Sequence, residues 1–215
     1  MINFINSQKN TFLAITAMVV GVIFIDIHGL IVKYLGGEYS TIQLALFRNT
    51  FAIIPLILLL VYNKESSDLF KNLSKKFILF CFIRGSCFLA INILYYIAIN
   101  NMEFATASTL TFSSTFFIVI LSIFFLGDKV GIYRWSAVII GFVGVVMIMR
   151  PNSSIFSYYS ILPILVAFLW AVQVIILKFI PDNFSTGKIQ FYSLFSSFLG
   201  SLIFIFFTTG HTYIE

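Results

Sequence analysis

Residues 22–40 read VIFIDIHGLIVKYLGGEYS, and residues 167–185 read AFLWAVQVIILKFIPDNFS. Laid on one another with a shift of 145 positions, Ile31 and Lys33 fall on Ile176 and Lys178, Tyr34 on Phe179, Tyr39 on Phe184, and Ser40-Thr41 on Ser185-Thr186. Each copy is an apolar run ending in a lysine, then a short turn, then a Ser-Thr pair opening the next apolar run. The fold turns on how many membrane crossings separate the copies. An odd number turns the second copy upside down relative to the first.

Composition sets the class. At 60% hydrophobic and 10% charged residues, with a mean hydropathy of +1.03, the chain has too little polar surface to cover a soluble globule. Its apolar residues fall in seven runs: Phe12 to Val32, Ile42 to Tyr62, Phe77 to Ile99, Ala105 to Leu126, Tyr133 to Met149, Tyr158 to Ile180, and Ile189 to Thr209. Most approach the ~20 residues that carry a helix across a ~30 Å hydrocarbon core. The pattern predicts an all-α polytopic membrane helix bundle of about seven transmembrane helices. Transmembrane strands, with their short alternating segments, fit nowhere. Only Lys9 precedes the first run, no A-x-A site follows it, and it exceeds a signal-peptide core in length, so it reads as helix one.

Lysines and arginines orient the bundle. One side receives Lys9, Lys64, Lys71, Lys75, Lys76, Lys129, Arg134, Lys178 and Lys188, against Lys33 and Arg150 on the other: nine against two. The positive-inside rule then places the N-terminus in the cytoplasm and the tail from Gly210 to Glu215 outside. A seven-helix receptor needs the opposite orientation. Five crossings separate the two copies of the repeat, so they are expected to be inverted. Lys33 and Lys178, at opposite mouths, read as lysines snorkelling from helix ends.

These residues also carry a family likeness. Val32-Lys33-Tyr34-Leu35 followed by Leu46-Phe47-Arg48-Asn49, the Arg84-Gly85 pair, and Leu94-Tyr95-Tyr96-Ile97-Ala98-Ile99 resemble the drug/metabolite transporter superfamily, and within it the EamA group. The most extended block runs from Ala105 through Thr109-Leu110-Thr111-Phe112-Ser113 and Phe125-Leu126-Gly127-Asp128-Lys129 to Gly141-Phe142-Val143-Gly144-Val145-Val146 and Met149-Arg150-Pro151. Members usually carry a proline in the middle of helix four, where this chain has Thr115, and a glutamate after Leu-Gly, where it has Asp128. The first difference removes the usual cause of a kink in that helix. The resemblance implies two inverted five-helix units and alternating access to a small metabolite: an amino acid, S-adenosylmethionine, a riboflavin-like vitamin or a drug. Against that pattern, residues 1–11 are a cytoplasmic N-terminus, 12–151 one complete EamA-type unit, and 152–215 the first two helices of an inverted second unit. Such a chain is expected either to be truncated and inactive in transport, or to complete itself by homo-oligomerisation or by pairing with another family member.

Ionisable groups at membrane depth nominate the site, because each costs several kcal/mol unless it meets a cavity or a partner. Asp26 reads either as a cation or proton site or as a partner for a nearby basic group. His28 reads as a polar contact between helices. Arg48 and Arg84 each lie about two turns from a helix end. They either snorkel or hold a carboxylate or phosphate through their planar forks. Arg84 has the fuller context, since Phe88, Asn92, Tyr95 and Tyr96 follow it on one helix face. Ser108, Thr111 and Thr115 form a hydroxyl stripe on helix four that either lines a pathway or bonds its own backbone. Ala137, Gly141 and Gly144 make a close-packing face on helix five. Trp170 and Gln173 sit 145 positions after Ile25 and His28, so a polar group recurs at one depth. The candidate substrate-binding residues are therefore Arg84, Asn92, Tyr95, Tyr96, Asp26, Arg48, Thr111, Thr115, Trp170 and Gln173.

Other chemistries have little to stand on. Cys81 and Cys87 are about 9 Å apart along one helix, too far for a disulfide. No metal-ligand spacing or nucleotide-binding loop occurs, so no metal or cofactor is expected. An intramembrane hydrolase built on Ser113 or Ser114 with His28 lacks a nucleophile motif, and the expectation is a chain that is not an enzyme. The basic loop from Asn63 to Phe77 suits anionic membrane lipid rather than nucleic acid. The expected location is a bacterial cytoplasmic (inner) membrane.

Overall fold

A computed structural model of the chain describes residues 2–65, 68–71, 73–127, 131–149, 158–181 and 183–209, with the backbone alone at 2–10, 134, 145–146, 148–149 and 208–209. Asp128-Lys129, Arg150-Pro151, the boundary between units at 151–152, and Gly210 to Glu215 with His211 lie outside the described residues. Every regular element among the described residues is helical: α1 (Ile2–Leu35), α2 (Thr41–Tyr62), α3 (Lys75–Asn101), α4 (Phe104–Thr111), α5 (Ser114–Leu126), α6 (Ile132–Met149), α7 (Ile161–Phe179), entered through a 3₁₀ turn at Tyr158–Ser160, and α8 (Thr186–Thr209). Six stretches are long and apolar enough to cross a membrane, α4 and α5 jointly forming one of them, and α6 holds a shorter apolar segment, Trp135–Gly144. The chain is a multi-span membrane protein. Helix one begins earlier than the apolar run does, because no proline or glycine interrupts residues 2–20.

The repeat is visible in the helix starts. Ser40 caps α2, its Oγ accepting from the Gln43 backbone N–H at 3.3 Å while Gln43 Oε1 accepts from the Ser40 N–H at 3.0 Å, a reciprocal capping box. At the equivalent place Ser185 Oγ accepts from the Lys188 backbone N–H at 3.2 Å. α2 opens at Thr41 and α8 at Thr186, 145 positions later, and α1 closes at Leu35 where α7 closes at Phe179. The two copies thus share their local architecture to within one residue.

The fourth span is broken although it has no proline. Thr111 Oγ1 donates to the Ser108 carbonyl at 2.6 Å and Ser113 Oγ to the Leu110 carbonyl at 2.6 Å. At the same place the backbone slips to i−3 bonds, Phe112 N–H to Thr109 O and Ser113 N–H to Leu110 O. Hydroxyls competing for helix carbonyls bend helices, and here they end α4 and restart α5. At the far end of α5, Gly127 takes φ +67°, a left-handed cap that a side chain disfavours.

α3 is the hub. It packs against both α7 and α8, α2 lies on α8, and α5 lies on α7. The α3–α8 approach is closest at Gly85, where an added Cβ would press on the Ser193 carbonyl oxygen and lie 2.6 Å from Ser196 Cβ. One buried cluster, Val32, Leu44, Ala45, Tyr96, Ile99 and Ala107, joins α1 to α4 at one end of the bundle. A second, Phe77, Cys81, Ile180 and Ile189, joins α3, α7 and α8 at the other. There Phe77 stacks on Phe184 with ring centroids 4.1 Å apart. The Lys188 ammonium sits over both rings and donates to the carbonyls of Asp68 and Lys71, while Tyr192 OH donates to the Leu69 carbonyl. The α2–α3 loop is thereby tied to α8. On its outer side Lys71 pairs with Asp68 at 2.9 Å, and that hydrogen bond, aided by the ammonium's charge, holds the exposed Asp68 carboxyl below its ordinary range.

α1 touches the bundle mainly near its C-terminal end. Lys33 does not snorkel: its Nζ donates to the Met102 carbonyl at 2.8 Å, placing a cation on the C-cap of α3. Lys178 is exposed. The small-residue face of α6 does not pack closely as its spacing predicts. The Phe116 ring would meet a Cβ at Gly141 at 3.3 Å, but nothing lies within 4 Å of one at Gly144. The face instead borders a cavity of about 340 Å³ shared with Thr109, Phe112, Thr115 and Phe116.

Candidate functional site

Along one side of α3, Arg84, Phe88, Asn92 and Tyr96 recur every fourth residue, and each meets a different part of the bundle. Arg84 Nη1 donates to Gln190 Oε1 and to Ser193 Oγ of α8, both at 3.1 Å, and its Nε is buried without a partner. One turn on, the Arg48 guanidinium of α2 lies over the Phe88 ring, 4.6 Å from the centroid, with Nη1 buried and unpartnered. Asn92, 5% exposed, has an unpartnered Nδ2. Tyr96, 1% exposed, shares a hydrogen bond of 3.3 Å with His28 Nε2 of α1. Tyr95 OH reaches Ser108 Oγ of α4 at 3.0 Å. Gln173 of α7 is also buried and donates from Nε2 to the Arg84 carbonyl at 3.2 Å. Six of the ten sequence candidates, Arg84, Asn92, Tyr95, Tyr96, Arg48 and Gln173, are thus gathered around α3.

Among the described residues no hydrogen bond ties the other four to this face. Asp26 and Trp170 are exposed. Thr111 bonds its own helix and Thr115 borders the α6 cavity. Ser113 and His28 are each engaged elsewhere, with the Leu110 carbonyl and Tyr96 respectively, and among the described residues no hydrogen bond joins His28 to Ser113 or Ser114. Cys81 and Cys87 are free thiols.

Reading the sequence missed the α8 half of the site. Gln190 and Ser193 hold Arg84, and Ser197 accepts from Asn49 Nδ2 at 3.0 Å. The signal was a stripe of serines, Ser193, Ser196, Ser197 and Ser201, all buried, inside an apolar run. Small hydroxyl residues at that spacing let helices approach and bond across a membrane interface.

Electrostatically the face is donor-rich. The salt bridge recorded among the described residues joins Lys71 to Asp68 at the surface, so neither intramembrane arginine has a carboxylate partner there. Arg84 is compensated by an amide and a hydroxyl. For Arg48 the compensation is an aromatic face, and cation–π attraction of about 2 kcal/mol does not offset the several kcal/mol of withdrawing a guanidinium from water.

Arg84, Arg48, Asn92 and Tyr96 thus give the multi-span helix bundle a basic, amide-bearing and phenolic interior face. The family model described as the EamA-like transporter family matches residues 12–150, and the chain belongs to that family. It is 40% identical over 63 residues to a riboflavin transporter of Rhizobium johnstonii, covering 29% of this chain and 21% of that protein. It is 35% identical over 78 residues to a riboflavin transporter of Vibrio cholerae, covering 36% and 26%. To an S-adenosylmethionine uptake transporter of Rickettsia bellii it is 27% identical over 161 residues, covering 75% and 54%. The chain spans about half the length, or less, of these curated relatives. No solved structure matches it.

Proposed function

We propose that this chain works in a secondary transporter that moves a small organic metabolite across the cytoplasmic membrane by alternating access between inverted units, with the solute held on the polar face of α3. The observation that carries the reading is the row of Arg48, Arg84 and Asn92 donors left open inside membrane-spanning helices, since polar groups at that depth are tolerated where they serve a solute path. Family membership supports the mechanism class. The names of the relatives support a riboflavin-like or S-adenosylmethionine-like substrate. The test is flux of both radiolabelled compounds in cells expressing the chain, measured inward and outward. Flux of one of them that depends on expression, saturates and is competed by unlabelled compound is expected, and its direction settles import against export. Absence of such flux for both, with the protein present in the membrane, sinks the reading.

The N-terminus lies in the cytoplasm in this proposal, on the strength of nine basic residues against two. Asp68, exposed on the α2–α3 loop, offers a probe. An Asp68→Cys thiol should react with an impermeant maleimide in inverted vesicles and stay protected in intact cells. Reaction in intact cells reverses the orientation.

A further inference from the structure

We infer that Arg48 and Asn92 form the subsite for a carboxylate of the transported solute, with Phe88 as the wall against which the rest of the molecule packs. This rests on the transport reading above and specifies its chemistry. The two intramembrane arginines are not equivalent. Arg84 Nη1 is spent on Gln190 and Ser193, whereas Arg48 sits over Phe88 with Nη1 buried and open. Asn92 follows Phe88 by one helical turn on the same face, and its amide Nδ2 is a second buried, unpartnered donor. A planar guanidinium reaching from α2 onto Phe88 and an amide one turn further along α3, each with an unpartnered buried N–H donor, match the two oxygens of a carboxylate. The charge count fits a monoanion: Arg84, one turn before Phe88, has its Nη1 engaged by Gln190 and Ser193, which leaves the Arg48 cation beside a neutral amide.

An open buried charge also stores instability, which gives a readout independent of any ligand. Replacing a buried, uncompensated charge with an apolar side chain of similar length is neutral or stabilising, while removing one that is hydrogen-bonded strands its partners. In the purified full chain without ligand, Arg48→Met should raise the apparent melting temperature and Arg84→Met should lower it. S-adenosylmethionine and its decarboxylated analogue then serve as probes that differ only in the carboxylate. The wild type should bind the former about tenfold or more tightly, the scale of one charge-assisted hydrogen bond, and Arg48→Met should erase that difference. A lower melting temperature for Arg48→Met makes Arg48 a structural residue and overturns the inference. Equal binding of the two probes by the wild type, including no binding of either, overturns it too. Carboxylate preference in binding with no flux in cells would instead retain the subsite and defeat the transport reading.

Discussion

Gly85→Ala should destabilise this protein strongly. The Cβ it introduces presses on the backbone carbonyl of Ser193 and comes within 2.6 Å of Ser196 Cβ. A backbone carbonyl cannot rotate aside, so α3 and α8 must separate along the interface that also carries the Arg84 bonds to Gln190 and Ser193 and the Ser196 Oγ bond to the Phe82 carbonyl. Overpacking of a tight contact costs about 1–3 kcal/mol and sometimes more, and the hydrogen bonds lost as the helices part add to it. Gly85→Ala should therefore lower the melting temperature in detergent by several degrees, and Gly85→Leu should leave no monodisperse protein on gel filtration. Gly144→Ala is the matched control. With nothing within 4 Å of its Cβ, it should be neutral or gain the ~0.5–1 kcal/mol of helix propensity that alanine holds over glycine. Equal melting temperatures for Gly85→Ala and Gly144→Ala would show that the α3–α8 approach is not tight in the membrane.

The helices and the repeat were legible because both are written in local chemistry. Twenty-residue apolar runs have one outcome in lipid, and Ser40 and Ser185 cap α2 and α8 in the same way. The face of α3 was legible for the same reason, since Arg84, Phe88, Asn92 and Tyr96 need only helical spacing to line up. What meets that face was not. Which helix supplies Gln190, and that Arg48 settles on Phe88 rather than reaching for the membrane edge, depend on packing across more than 100 positions of sequence for Arg84 and Gln190. Lys33 shows the same limit: a lysine at a helix end reads as a snorkelling cation until the C-cap of α3 is found beside it. The break between α4 and α5 has no proline to announce it in the sequence, and falls where the hydroxyls of Thr111 and Ser113 bond helix carbonyls.

Residues 1–215 reconstituted as single copies, fewer than one per vesicle, should show no saturable flux, and the reason lies on α1. The face of α7 that the bundle buries includes Pro163, Ala167, Ala171 and Ile175. Shifted by 145 positions these are Met18, Val22, Asp26 and Leu30 of α1, and there Met18 is 72%, Val22 46% and Leu30 53% exposed, with Asp26 exposed among them. One copy of the repeat thus has its face covered by α3 and α5, while the matching face of the other is bare and carries a carboxylate in the middle of a membrane span. An ionised side chain held in hydrocarbon costs at least ~2.5–3.5 kcal/mol, so that face is built to meet polar protein rather than lipid. A thiol placed at Val22 should accordingly be less reactive to a lipid-soluble maleimide in native membranes than in single-copy vesicles. Saturable flux from single copies, or equal reactivity at Val22 in both settings, would show that the bare face of α1 is a lipid-facing surface.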